Sequence, residues 1–143
     1  MRGAFRMPIR GAKTTSRFGE RSVYNGQPRS PHSGADIHAS TGTPVLAPQS
    51  GRVALADDYF FPGRTVIVDH GLGVYSMFAH LSEIKAPPGK FVKRGDVVGL
   101  AGATGRVTGP HLHWAMKILG ARVDPQSVIA LPLDRWLASC GKR

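Results

Sequence analysis

The feature that most restricts this chain is its succession of short β-type runs, each ended within a few residues by a turn former. Thr43–Ala47 leads into Pro48-Gln49-Ser50-Gly51, and Arg52–Ala56 follows. Thr65–Asp69 and Val74–His80 flank a Gly71-Leu72-Gly73 turn, and Phe91–Val92 and Val97–Ala101 flank Lys93-Arg94-Gly95-Asp96. His111–Ile118 completes the series. Runs of this length and spacing, rich in Val and Ile, predict an all-β fold: a small antiparallel β-sandwich or partly open barrel. Eighteen glycines and eleven prolines in 143 residues interrupt the chain too often for a helical bundle. Short helical turns are expected only near the C-terminus, at Pro125–Ala130 and Asp134–Ser139. No βαβ pattern and no repeat of 20–50 residues is present.

The length suits one domain, and 41% hydrophobic against 20% charged residues is enough apolar material for a core. Residues 1–16 show no periodicity and read as a basic arm or linker, 17–130 as the folded domain and 131–143 as a tail. The start, MRGAFRMPIRGAK, lacks the apolar stretch of a secretory leader, and no run is long enough for a transmembrane helix. Net charge is +10 and uneven: residues 1–30 hold seven Arg/Lys against Glu20 alone, giving +6. Such an arm suits an anionic polymer of the cell envelope or another polyanion. Cys140 is the single cysteine, so an intrachain disulfide and a closed thiolate metal site are both excluded.

Chemistry falls to the histidines, because glutamate is limited to Glu20 and Glu83. In His111-Leu112-His113-Trp114-Ala115-Met116, strand alternation puts Leu112, Trp114 and Met116 on a core face. His111 and His113 then share the other face, about 7 Å apart at the backbone. His32 and Asp36, four residues apart, likewise face one way in extended chain. Neutral imidazole with carboxylate suits Zn²⁺, and two His with one Asp leave a fourth tetrahedral position for water, the catalytic pattern. His70, after a β-run at a glycine turn, reads as structural, and His38 shares the parity of Asp36 without an assigned role. Tyr59-Phe60-Phe61 sits in a loop between strands, suited to lining a peptide groove or to packing over the sandwich edge. Asp69 and Asp96 read as turn residues.

Taken in order, His32-Ser33-Gly34-Ala35-Asp36, Gly42-Thr43-Pro44-Val45, Ser50-Gly51-Arg52-Val53 and Val68-Asp69-His70-Gly71 resemble the lysostaphin-type (LytM-domain) zinc endopeptidases. So do Phe78-Ala79-His80-Leu81-Ser82 and the Thr104–Trp114 stretch ending Gly109-Pro110-His111-Leu112-His113-Trp114. The resemblance spans roughly residues 16–129, and Asp58–Phe61 and Gly120–Pro125 are similar to the versions in proteobacterial members. It implies the duplicated hybrid motif fold with a substrate groove, and one Zn²⁺ per chain held by His32, Asp36 and His113. His80 and His111 match the two catalytic histidines that do not bind metal.

The implied activity is hydrolysis of peptide cross-links in bacterial peptidoglycan, at D-Ala–diaminopimelate bonds rather than glycine bridges. Peptidoglycan peptide stems are then the partner, the periplasm or cell envelope the place, and a monomer the expected state. The alternatives are a LytM-like binding module that activates cell-wall amidases without catalysis, and a glycine-bridge endopeptidase. A nucleic-acid-binding β-module fits the charge but leaves the five site residues unexplained, so no nucleic acid is expected.

Overall fold

The structure is a computed structural model describing residues 5–11, 14–16, 23–24, 27–28, 34–60, 62–105 and 109–130. Its strands are β1 (Thr14–Ser16), β2 (Val23–Tyr24), β3 (Gln27–Pro28), β4 (Ala35–His38), β5 (Pro44–Leu46) and β6 (Gly51–Tyr59). They continue with β7 (Gly63–Gly71), β8 (Val74–Ile84), β9 (Phe91–Val92), β10 (Val97–Ala101), β11 (His111–Ile118) and β12 (Ala121–Val123). One short helix, α1 (Pro125–Ala130), follows. The seven runs expected from sequence are strands, several of them longer than their β-type stretch, and Pro125–Ala130 is the helix. Asp134–Ser139 lies outside the described residues.

The main sheet is antiparallel and open, in the order β1-β4-β11-β8-β7-β6-β9, with β12 on β11 and β10 pairing both β5 and β8. Strand β8 belongs to two neighbourhoods: Val74–Ala79 pairs with β11, whereas Leu81–Ile84 pairs with β10. The sheet therefore turns a corner within one strand and wraps a core that includes Ile37, Val45, Val53, Val66, Phe78, Val98, Leu112 and Trp114. Core packing of this kind contributes roughly 1.5–3 kcal/mol per fully buried aliphatic or aromatic side chain.

Two hairpins use two-residue turns with both residues at positive φ: Leu72 (55°) with Gly73 (78°), and Leu119 (51°) with Gly120 (84°). Such turns match the right-handed twist of the strands they join. They lie side by side, the Leu119 N–H donating to the Gly73 carbonyl at 2.9 Å.

Part of the stretch expected to be an arm belongs to the packed structure. Phe5 and Ile9 are buried in the core, Arg6 N–H donates to Pro48 O, and Pro8 O accepts from Leu46 N–H. A two-residue apolar anchor without strand or helix periodicity carries no local signal, which is why its packing was invisible in sequence.

Candidate active site

The outer face of the main sheet carries His80, His111 and His113. On β11 the core side takes Leu112, Trp114 and Met116, all essentially inaccessible, and His111, His113, Ala115 and Lys117 point the other way. Strand β4 pairs with β11 so that His113 faces Asp36 and His111 faces His38. On the other side of β11, His113 pairs with Ala79 of β8. Gly34, just before β4, permits this close approach: a Cβ there would overlap the Trp114 carbonyl oxygen and crowd the His113 ring.

His80 reaches the same face by a bulge. Alternation along β8 puts Val74, Ser76 and Phe78 inward, yet Leu81 is also inward. Between the pairs Val66↔Phe78 and Arg64↔Leu81, β7 has Thr65 alone while β8 has both Ala79 and His80. Two residues opposing one make a β-bulge, which re-aims a side chain and bends the strand. The extra residue is His80, at φ 61°. Left-handed backbone at a non-glycine residue costs about 1–3 kcal/mol and persists where its surroundings over-determine it. Here the His80 N–H donates to Pro62 O at 2.7 Å, and the ring Nδ1–H to Thr104 O at 2.9 Å.

Thr104 ties these pieces together. Its hydroxyl donates to Leu81 O at 2.6 Å and accepts from Arg64 N–H at 3.0 Å, while its carbonyl takes the His80 proton. Gly63, at φ 68°, lies so close to Thr104 that no side chain fits there. The β6–β7 hairpin is thereby locked beside His80, with Tyr59 exposed and Phe60 75% exposed near its tip. Phe61 lies outside the described residues.

The assembled cluster is three imidazoles around one carboxylate. His113 Nδ1 lies 3.0 Å from Asp36 Oδ1, and His111 Nε2 lies 3.7 Å from the same oxygen. The ring of His80 is 5.0 Å from that of His111 and 6.1 Å from that of His113, centre to centre. His111 Nδ1 sits 2.9 Å from Gly109 O. A carbonyl can only accept, so His80 and His111 both carry their proton on Nδ1 and keep Nε2 as a lone pair when neutral. Burial lowers the pKa of His80 from its ordinary value, aided by the charges of His111 and His113 and opposed by the Thr104 bond and Asp36. The ring is therefore held neutral, with Nε2 unprotonated.

Asp36 and His113 are two donors of the kind a metal ion takes, placed side by side. Zn–N and Zn–O bonds of about 2.0–2.2 Å at the tetrahedral angle separate two ligand atoms by roughly 3.3–3.5 Å. The 3.0 Å between Asp36 Oδ1 and His113 Nδ1 is close to that spacing. Among the described residues no group of three or more His, Cys, Asp or Glu is placed to hold a metal. His32, the third ligand implied by the resemblance, lies outside them. His38, the cross-strand partner of His111, is exposed.

His70 is elsewhere, on the core side of β7. Its Nδ1–H donates to Ser50 O at 2.9 Å, which leaves Nε2 to accept the Ser76 hydroxyl at 2.7 Å. Phe5 packs against the ring, the two ring centres 5.1 Å apart. Burial is the main reason its pKa falls from 6.5 to about 4. His70 is thus a structural clip joining the approach to β6, the end of β7 and the start of β8.

Residues 30–125 match peptidase family M23. The peptidoglycan DD-endopeptidase ShyA of Vibrio cholerae serotype O1 is 39% identical over 94 residues, which cover 66% of this chain and 22% of ShyA. A solved structure described as a zinc containing peptidase from Vibrio cholerae superposes with a TM-score of 0.80 at 32% identity, covering 85% of this chain and 39% of that one. The catalytic domain of the antimicrobial peptidase lysostaphin from Staphylococcus simulans gives a TM-score of 0.74 at 28% identity, covering 84% of this chain and 93% of that one. The chain belongs to peptidase family M23. It spans about a quarter of the length of the curated relatives it matches.

Proposed function

We propose that the protein is a zinc-dependent endopeptidase that hydrolyses peptide cross-links of bacterial peptidoglycan, of the D,D type. The observation that carries this reading is the arrangement of His80 and His111. Each is anchored through Nδ1–H to a backbone carbonyl, and both stand beside the Asp36–His113 pair. Two imidazoles that present Nε2 beside a carboxylate–imidazole pair suited to a metal are the equipment of amide hydrolysis. The names of curated relatives, DD-endopeptidases among them, support the substrate class.

His32, Asp36 and His113 would hold one Zn²⁺, which supplies Lewis-acid polarisation of the scissile carbonyl and acidifies water. The chain's own residues then handle the protons. An Nε2 lone pair of His80 or His111 accepts the proton shed as water attacks the amide carbon. The other imidazole donates toward the carbonyl oxygen, as negative charge develops there, only in the form that carries a proton on Nε2 as well as on Nδ1. The imidazolium formed in the first step returns its proton to the leaving amine, without which the C–N bond does not break. The Gly109 and Thr104 carbonyls hold the two rings in the required tautomer throughout.

Such a substrate lies outside the cytoplasm, in the periplasm or cell envelope, and the basic N-terminal residues favour its anionic polymers. The test is zinc content by elemental analysis together with digestion of purified sacculi and mass spectrometry of the products. About one zinc per chain and cleaved D-Ala–diaminopimelate cross-links are expected. Metal-loaded protein that leaves sacculi and soluble cross-linked peptides intact would overturn the reading.

A further inference from the structure

The face that carries the histidines does not end with them. Cross-strand register arranges it in successive rows about 7 Å apart. Beyond the row Asp36–His113–Ala79 comes Ala115–Met77–Ile67–Leu55, and beyond that Arg122–Lys117–Tyr75–Asp69–Arg52. An open cavity of about 450 Å³ lies over the outer two rows, floored by Ile67, Met77 and Ala115 and bordered by Tyr75, Lys117 and Arg122. A half-buried apolar floor one strand row from the His113 row is the form of a binding groove rather than of ordinary surface.

Its far end is marked by charge. Lys117 and Arg122 are direct cross-strand partners, both exposed. Like charges at that position repel, and nothing in the fold relieves them: among the described residues neither has a carboxylate partner. Asp69, the acidic group of that row, lies two strands from Lys117 and accepts the Gly71 N–H instead. Tyr75 stands next to Lys117 and offers a phenolic donor. The Leu72-Gly73 and Leu119-Gly120 turns are hydrogen-bonded to each other, so the row is held on a firm base.

We infer that this groove is a subsite for the peptide substrate in which Lys117 and Arg122 hold a carboxylate of the peptide. The inference rests on the proposed endopeptidase reading and names its specificity. Lys117 lies four residue steps along β11 from His113, about 13 Å. An extended peptide of about four residues spans that distance, with its apolar parts on Met77 and Ala115. Cell-wall stem peptides suit this groove because they carry carboxylates along a short, otherwise weakly polar chain.

The test compares the zinc-loaded full chain with Lys117→Gln/Arg122→Gln on two soluble cross-linked stem peptides, one with free carboxylates and one amidated. The double variant should raise KM for the carboxylate peptide about tenfold, two exposed charge contacts each contributing a few-fold, with kcat within twofold. For the amidated peptide the two proteins should be alike. Unchanged KM, or a loss confined to kcat, would overturn the subsite. So would a concentration-dependent dimer in sedimentation that the double variant abolishes, since a second copy would then occupy the groove. NMR titration of each peptide against both proteins reads the same contrast without turnover. If wild type binds the carboxylate peptide through Lys117 and Arg122 but cleaves nothing, the subsite stands and the endopeptidase reading falls.

Discussion

Acidification from pH 7 to pH 4 is expected to weaken the fold through His70, and the amount follows from its surroundings. The ring is 5% exposed and its two nitrogens are committed, one donating to Ser50 O and one accepting from the Ser76 hydroxyl. Protonating Nε2 turns that acceptor into a second donor and buries a charge beside Phe5, which is why the folded pKa is about 4. In the unfolded chain the value returns to about 6.5. Between these values the unfolded state binds more protons than the folded one, so stability falls as pH falls. The contribution is complete above pH 6.5 and is lost as pH drops through about 4. At 1.36 kcal/mol per pKa unit, the loss over that window is ~3 kcal/mol.

The assay is urea unfolding at half-unit steps from pH 7.5 to 4, for wild type and for His70→Gln, which keeps a donor and an acceptor but does not titrate. Loss of metal in acid affects both proteins alike, so the difference between them isolates the ring. Wild type should lose ~1.4 kcal/mol per pH unit relative to the variant in the middle of the window. A difference that stays flat from pH 6.5 to 4, or an NMR titration of His70 with an ordinary midpoint, would refute the reasoning.

His113→Ala should empty the metal site and abolish turnover, because two remaining protein ligands are too few; near-stoichiometric zinc in that variant would contradict the ligand assignment. His80→Ala and His111→Ala should keep zinc, measured by elemental analysis, and lose about 10²–10⁴-fold in kcat, with losses that are not additive. Thr104→Val removes a hydroxyl that donates to Leu81 O and accepts from Arg64 N–H. Thermal unfolding should show a loss of about 1–3 kcal/mol, and kcat should fall more than KM rises as the His80 bulge loosens. Phe5→Ala should cost about 3–5 kcal/mol in urea unfolding, where an arm outside the fold would cost almost nothing.

Local chemistry determined much of this protein. Alternation in His111–Met116 placed both histidines on one face and the three large apolar side chains on the other, because strand periodicity is a property of the strand alone. The turn residues likewise delimited most strands, and the residue types around His32, Asp36 and His113 pointed to zinc before any fold was known. His32 lies outside the described residues, so its place still rests on that sequence reading.

The tertiary structure decided what depends on a partner strand. The bulge at His80 exists because β7 offers one residue where β8 has two, and no periodicity within Val74–Ile84 announces it. The tautomers of His80 and His111 were set by the carbonyls of Thr104 and Gly109, the first of them 24 residues away in sequence. Phe5 found its place against a histidine 65 positions later (70 minus 5), through contacts that only the closed core creates. Lys117 and Arg122 became a pair only when the Leu119-Gly120 turn folded β12 back onto β11. Propensity and period act over a few residues; register, bulges and hydrogen-bond partners are settled where distant segments meet, and there this site acquired its geometry.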